Sequence, residues 1–448
     1  MHFIFSRKNF SIPAREIPLW FWTLGFLDFL WNTAGPGGIP VGLISGLGLL
    51  GISFFSVQSC KDRWREEWKG KLETFRSLFK KSPLVALALL GCAACLGAML
   101  SMSLLSALRP PFLSQEYDAI NYQMGIPRQL LVRKSLAWIE WSTADLWPMI
   151  LQYGMSPLSN AFFTINKIPQ FFFALGLMAC LYRIPKQLGF IGMVSLIPLL
   201  AVMGSHGVMI QMGTGMMDLP LLYLLLLSVS ALLDRRYRIA AFSLSIFIAS
   251  KSFNLFLAAP LVLGGMAWAL FGKSKIPARH LFKDFLPVLL LSTCLLLSRS
   301  ALLSFRATGT PLFPFFSCQI AKGSLCEGES LKLLRNVEKE LISTRDKYGN
   351  GRSPRAFFTH LWRVAIPTKG VNNEFDYPLG LPWLLFIVLV GFTFTSGLPR
   401  SPLLWASLLL WALWWMNAQQ SRWLYPTLAL GFLGTLNLQR KRSERAHV

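Results

Sequence analysis

The sequence predicts an all-helical, polytopic membrane protein with about twelve transmembrane helices and two long extracytoplasmic loops. Composition is the first ground for this. Of 448 residues, 53% are hydrophobic and only 15% charged, with a mean hydropathy of +0.47. Soluble domains carry roughly 25% charged residues. This chain cannot cover a soluble surface, which excludes an ordinary cytosolic enzyme, and its apolar content excludes disorder and coiled coil. Charge placement is the second ground. Lys and Arg number 44 against 21 Asp and Glu, a formal charge of +23. The cations stand in short clusters between long apolar runs, as in the cytoplasmic links of membrane proteins. A nucleic-acid-binding domain would gather them on one soluble face, so no nucleic-acid partner is expected.

Run length is the third ground. Crossing the hydrocarbon takes about 20 mostly apolar residues. Runs of that kind fall near 17–33, 39–58, 84–107, 158–182, 188–204, 217–233, 239–253, 254–271, 285–304, 379–397, 402–416 and 423–437. The stretch from Ile239 to Phe271 is too long for one crossing and divides near Lys251–Asn254, where polar residues favour a turn or re-entrant break. The first run lacks a small-residue cleavage pattern and leads directly into a second, so it is expected to stay as a span.

The links set the orientation. Arg7, Lys8 and Arg15 precede the first run, and Lys61 to Lys81 holds eight cations after the second. Arg183 and Lys186, then Arg235, Arg236 and Arg238, then Lys273, Lys275, Arg279 and Lys283 occupy alternate links, and Arg440, Lys441, Arg442 and Arg445 close the chain. All fall on one side if both termini are cytoplasmic. Residues 1–437 then form one transmembrane domain, with outer loops at 110–157 and 305–378, and 438–448 is a basic cytoplasmic tail. Within the link at 59–82, Glu66, Glu67, Lys69, Lys71 and Arg76 with Trp64, Trp68 and Phe75 suggest an interfacial amphipathic helix.

Of seven cysteines, Cys92, Cys95, Cys180 and Cys294 lie in spans and read as small packing residues. Cys318 and Cys326 share the second outer loop, where an oxidising compartment permits a disulfide.

Chemistry at a membrane needs polar groups at its water-accessible edge. Glu116 and Asp118 come just after the third span should exit. Carboxylates at i and i+2 can share a divalent metal such as Mg²⁺ or Mn²⁺, or divide base and positioning work. Two acids alone do not define a metal site, and a solvated loop start explains the pair as well. Nearby Tyr122 belongs to a set of headgroup-seeking aromatics, and Ile126 to Trp138 could lie along the surface with Arg128 facing a phosphate. Leu331 to Thr344 has helical spacing within a loop too small for its own catalytic core.

Six blocks in order resemble the GT-C class of integral membrane glycosyltransferases, the superfamily of aminoarabinose transferases and protein O-mannosyltransferases. They are EYDAINYQMGIPRQLL, DLWPMILQYGMSPLSNAF, GTGMMDLPLLYLLLLSVSALL, FIASKSFNLFLAAPLVL, GTPLFPFF and QQSRWLYPTLAL. Gln123 stands where the family often has His, Thr310 where it has Asn and Trp423 where it has Tyr. The resemblance implies a GT-C-like fold and a hexosyl or pentosyl transferase of the inverting type. Its donor is a sugar on polyprenyl phosphate, and its acceptor a glycan, lipid or protein of the cell envelope. Its active site faces outward from a bacterial inner membrane. The family's loop acid maps to Asp118, with Glu116 beside it.

Lys251 and Arg422 interrupt apolar sequence near the outer edge and are the cations expected at the donor phosphate. Snorkelling and headgroup anchoring are their plainer roles. Asp218 begins a helix, where capping competes with a substrate role. Lys167 could pair with an acid across the bundle or reach the outer interface, and His206 reads as a loop residue within reach of substrate. A transporter or flippase of a lipid-linked precursor, and a non-catalytic assembly protein, fit the same topology.

Overall fold

Where no water reaches the backbone, an apolar segment must satisfy its own N–H and C=O groups, and the helix does so. The computed structural model describes residues 13–34, 69–70, 72–73, 75–109, 118–137, 139, 143–155, 167–190, 192–251, 254, 257–259, 261–262, 278–349, 351–366, 375, 377–395, 401–416 and 419–446. Among these every regular element is helical. The helices are α1 Ile17–Ala34, α2 Pro83–Ala107, α3 Gly125–Arg133, α4 Ile150–Met155, α5 Ile168–Gln187, α6 Ile197–Met203, α7 His206–Gln211 and α8 Asp218–Leu233. They continue with α9 Tyr237–Ile248, α10 Leu286–Thr308, α11 Gly328–Lys347, α12 Pro354–Arg363, α13 Leu381–Thr395, α14 Pro402–Met416 and α15 Tyr425–Ala446.

Three helices are long and apolar enough to cross a membrane: α2, α5, and α10 with its leading π-turn. Shorter apolar helices are Val194–Met203, α8, α9, α13 and α14. The shortening has local causes. The run expected at 188–204 is divided between a 3-10 segment, Gly192–Leu196, and α6. The run expected at 239–253 ends at Ile248, and the Asn254 amide donates back to Phe247 O at 2.7 Å, which caps the break near Lys251. Helix α15 continues through the expected tail to Ala446. The expected span at 39–58, most of that at 254–271, and Trp64, Glu66, Glu67 and Trp68 lie outside the described residues.

Leu-rich on every side, α8 is buried almost all round and forms the centre of the bundle, between α5 and α9. In contrast, α2 buries only Ala86, Ser103 and Ala107, leaving an apolar face outward.

Two charged clusters mark the ends of α8. At its C-terminal end, Asp234 accepts from Arg15 and from Arg183 at 3.2 Å, and Glu16 accepts from Arg236. Burial raises the Asp234 carboxyl, but hydrogen bonds from Gln187 and Arg15 outweigh it and hold the group below its ordinary range. The second cluster stands at Asp218, about 24 Å away along 16 helical residues.

The segments between the long helices are tied to them. Trp22 Nε1 donates to Leu151 O at 3.0 Å, and Phe29 stacks on Tyr153 at 4.7 Å. Gly25 packs on Gly154 so closely that an added Cβ would stand 2.0 Å from the Gly154 oxygen. Helix α3 stops earlier than Trp138 because Lys134 turns left-handed at φ 50°; Trp138 itself lies outside the described residues. Leu146, Ala307, Phe313 and Leu334 form a small core joining 143–155 to the 309–347 segment. Cys318 and Cys326 are joined by a disulfide within that segment, Cα–Cα 5.6 Å.

Candidate functional site

Four ionisable residues from four stretches of chain meet at the N-terminal end of α8. Asp218 is the first residue of that helix, and its carboxylate turns away from the backbone: Lys251 Nζ donates to Asp218 Oδ1 at 3.0 Å. Lys251 arrives there because α9 runs back antiparallel to α8 and ends at Ile248, returning the chain to the level of Asp218. Arg422 lies in the 3-10 turn Ser421–Leu424 that leads into α15. Its guanidinium stands between two carboxylates, 3.9 Å from Asp218 Oδ2 and 3.7 Å from Asp118 Oδ2. Both separations are ion-pair distances, longer than a hydrogen bond.

The four side chains are unequally exposed. Lys251 and Asp118 are 32% and 29% accessible, whereas Arg422 and Asp218 are 13% and 6%. One cation and one carboxylate therefore face outward, and the other pair stands behind them.

Neutral groups hold the cluster. Gln211 Nε2 donates to Asp218 Oδ2 at 3.4 Å, and Gln420 Oε1 accepts from Arg422 at 3.2 and 3.4 Å. Trp414 Nε1 fixes the Gln420 backbone at 2.8 Å. Ser421 N donates to Phe375 O at 2.7 Å and Ser421 Oγ accepts from Tyr377 N at 3.0 Å, so the segment after α12 is knitted to the Arg422 turn. At Gly213 the chain passes α2 closely enough that a Cβ would come within 2.7 Å of Ser103 O, while Ser106 Oγ donates to Gly213 O at 3.0 Å.

The remaining sequence-marked residues separate into groups. Lys167 is buried at the start of α5, one turn before Gln170, whose amide lies 3.5 Å from Met217 Sδ at the same end of the bundle. His206 is exposed at the first residue of α7, and Arg128 is exposed on α3. Glu116 and the Tyr122 side chain lie outside the described residues. Asp28, inside α1, accepts from Asn32 Nδ2 at 3.0 Å one turn along the helix.

Of the acid pair expected to share a metal, Asp118 alone is among the described residues. Each described carboxylate of the cluster faces a cation, and no three His, Cys, Asp or Glu side chains converge among the described residues.

A third ionic network, also buried, went unmarked in the sequence. Arg299 on α10 reaches both oxygens of Asp145, at 2.9 and 3.0 Å, Tyr153 Oη at 2.5 Å and Leu136 O at 2.9 Å. Ile139 N donates to the same carboxylate at 3.1 Å. Burial pushes the Tyr153 phenol upward, keeping it protonated. This network fastens the segment that follows Asp118 to α10. The signal for it was an Arg inside an apolar run, the same signal that marked Lys251. No protein-family model matches the sequence, and no curated protein and no solved structure matches it.

Proposed function

We propose that this chain is a GT-C-like membrane glycosyltransferase of about twelve spans with both termini cytoplasmic. It moves a sugar from a polyprenyl-phosphate donor to a cell-envelope acceptor at the outer face. The observation that carries this reading is the meeting of Asp118, Asp218, Lys251 and Arg422 with one carboxylate and one ammonium facing outward.

The roles follow from exposure. Asp118 takes the proton of an acceptor hydroxyl while that oxygen bonds to the anomeric carbon. The bond from that carbon to the phosphate oxygen breaks, and its electron pair leaves with polyprenyl phosphate. Lys251 meets this developing charge. An ammonium has three donors, so the bond to Asp218 leaves two for phosphate oxygens. Asp218 positions Lys251, and Arg422 links the two carboxylates.

A second reading has its own observation. Two carboxylates against two cations make a neutral set, which could hold a lipid phosphate during movement without bond chemistry, as in a flippase. Envelope glycans from a deletion strain, analysed by mass spectrometry, separate the two. Under the transferase reading one sugar is missing, wild-type protein restores it and Asp118→Asn does not. An unchanged glycan profile in the deletion strain contradicts it, and restoration by Asp118→Asn favours the flippase.

A further inference from the structure

Helix α12 belongs to none of the apolar helices, yet it turns large apolar side chains outward. Phe358 and Trp362 are 68% and 58% exposed and stand one turn apart, and Ile366, just past the helix end, is 54% exposed. Arg355 is exposed in the first turn, one residue beyond Pro354. Aromatic and aliphatic residues on one face with basic residues at the flank are the features of a helix lying in a membrane interface.

The opposite face is firmly seated. Ala356 and His360 are buried, and the His360 ring lies 4.8 to 5.6 Å from the rings of Trp411, Trp414 and Trp415. Trp411 Nε1 donates to His360 Nε2 at 3.0 Å, and Ser353 Oγ caps the helix by accepting from Ala356 N at 3.1 Å. The outward stripe therefore cannot be buried by rolling the helix.

Continuity identifies what covers the stripe. The end of α12 is bonded to the start of α13: Leu379 N donates to Val364 O at 2.9 Å, Gly380 N to Ala365 O at 3.1 Å, and Trp383 Nε1 to Leu361 O at 3.1 Å. From that junction α13 carries its own exposed apolar line, Leu381, Leu385, Val388 and Phe392. The α12 stripe adjoins the beginning of this line, at the level where an apolar helix would enter hydrocarbon. The same end holds the charged cluster, since Trp414 contacts both His360 and the Gln420 backbone.

We infer that α12 is a monotopic element that lies in the leaflet beside the charged cluster, with Phe358, Trp362 and Ile366 among the upper acyl chains and Arg355 at the lipid phosphates. The occupant of the stripe is phospholipid. This placement does not depend on the transferase reading.

Photocrosslinking tests it on the full-length protein in vesicles of phosphatidylethanolamine and phosphatidylglycerol. p-Benzoylphenylalanine replaces Phe358 or Trp362, with Val388 on α13 as the bilayer reference and exposed Ser343 on α11 as the aqueous one. Intact-mass analysis is expected to find phospholipid adducts at 358, 362 and 388, and none at 343. Adducts at 388 without any at 358 and 362, or crosslinks from these two positions to protein alone, overturn the inference. Absence of lipid adducts at 388 overturns it too, because the continuity with α13 then names no bilayer.

Discussion

Lys251 donates to Asp218 at 3.0 Å across the open end of the α8–α9 hairpin, joining residues 33 apart in sequence. Both are held in a mainly apolar setting, where an ionic group without its partner is unfavourable. Replacing Asp218 with Asn leaves Lys251 and Arg422 short of a counter-charge; Lys251 is 32% accessible, so breaking this partly buried pair costs about 1–3 kcal/mol. Thermal unfolding in detergent should register that loss. An unaltered midpoint would mean that the pair contributes nothing to the fold.

Lys251→Met tests the chemistry on the transferase reading, with a stability loss of its own because it strands the buried Asp218 carboxylate. It removes the outward ammonium, and loss of one donor at developing charge lowers transfer by about 10²–10³-fold. Donor KM should change less than kcat, because the leaving phosphate is most charged in the transition state. A change confined to KM would reassign Lys251 to ground-state binding.

Asp118→Asn should behave differently from Asp218→Asn. Asp118 is partly exposed and 3.7 Å from Arg422, and such pairs contribute about 0–1 kcal/mol. Its replacement should leave the unfolding midpoint almost unchanged while transfer falls by about 10²–10⁴-fold, the range for a general base. Equal losses of stability and activity would make Asp118 a structural group.

Much of this site can be read from the sequence because ionisable residues are rare among apolar runs. Lys251, Arg422 and Asp218 stand out on that ground, and Asp118 by its place just after the third run. Their pairing does not, since it depends on how α9 returns along α8 and where α15 begins. Asp218 shows the limit clearly. A carboxylate at a helix start suggests capping, yet here the side chain turns to Lys251. Arg299 stands near the end of its apolar run, where a cation could snorkel, and its partner Asp145 is 154 residues earlier. Gln211 and Gln420 carry no charge, so nothing in composition marks them.

The Arg299–Asp145 network gives a cycle to measure. Either Arg299→Met or Asp145→Asn alone should destabilise by about 3–5 kcal/mol, and the double variant by less than the sum. Additive losses would show that the two residues do not act as a pair.

His360 predicts a pH dependence outside the charged cluster. Burial lowers its pKa from the ordinary 6.5 to about 4, while hydrogen bonds with the backbone at Phe357 and Ala356 oppose the shift. Between these values the unfolded chain binds a proton that the folded chain refuses. Stability should therefore fall as pH drops from 6.5 toward 4, by up to roughly 3 kcal/mol, and should not change from this cause above 6.5. The difference between wild type and His360→Phe across that window isolates the effect. Parallel curves would exclude it.

Membranes of a strain lacking this protein hold its donor and acceptor whatever their identity, so purified protein added to them tests the transferase reading most directly. Liquid chromatography with mass spectrometry follows both the acceptor sugar and free polyprenyl phosphate. Wild-type protein should restore one sugar and release polyprenyl phosphate in equal amount, and Asp118→Asn should do neither. If wild-type protein changes neither quantity, or if Asp118→Asn changes both equally well, the assignment of Asp118 and its neighbours to sugar transfer is contradicted.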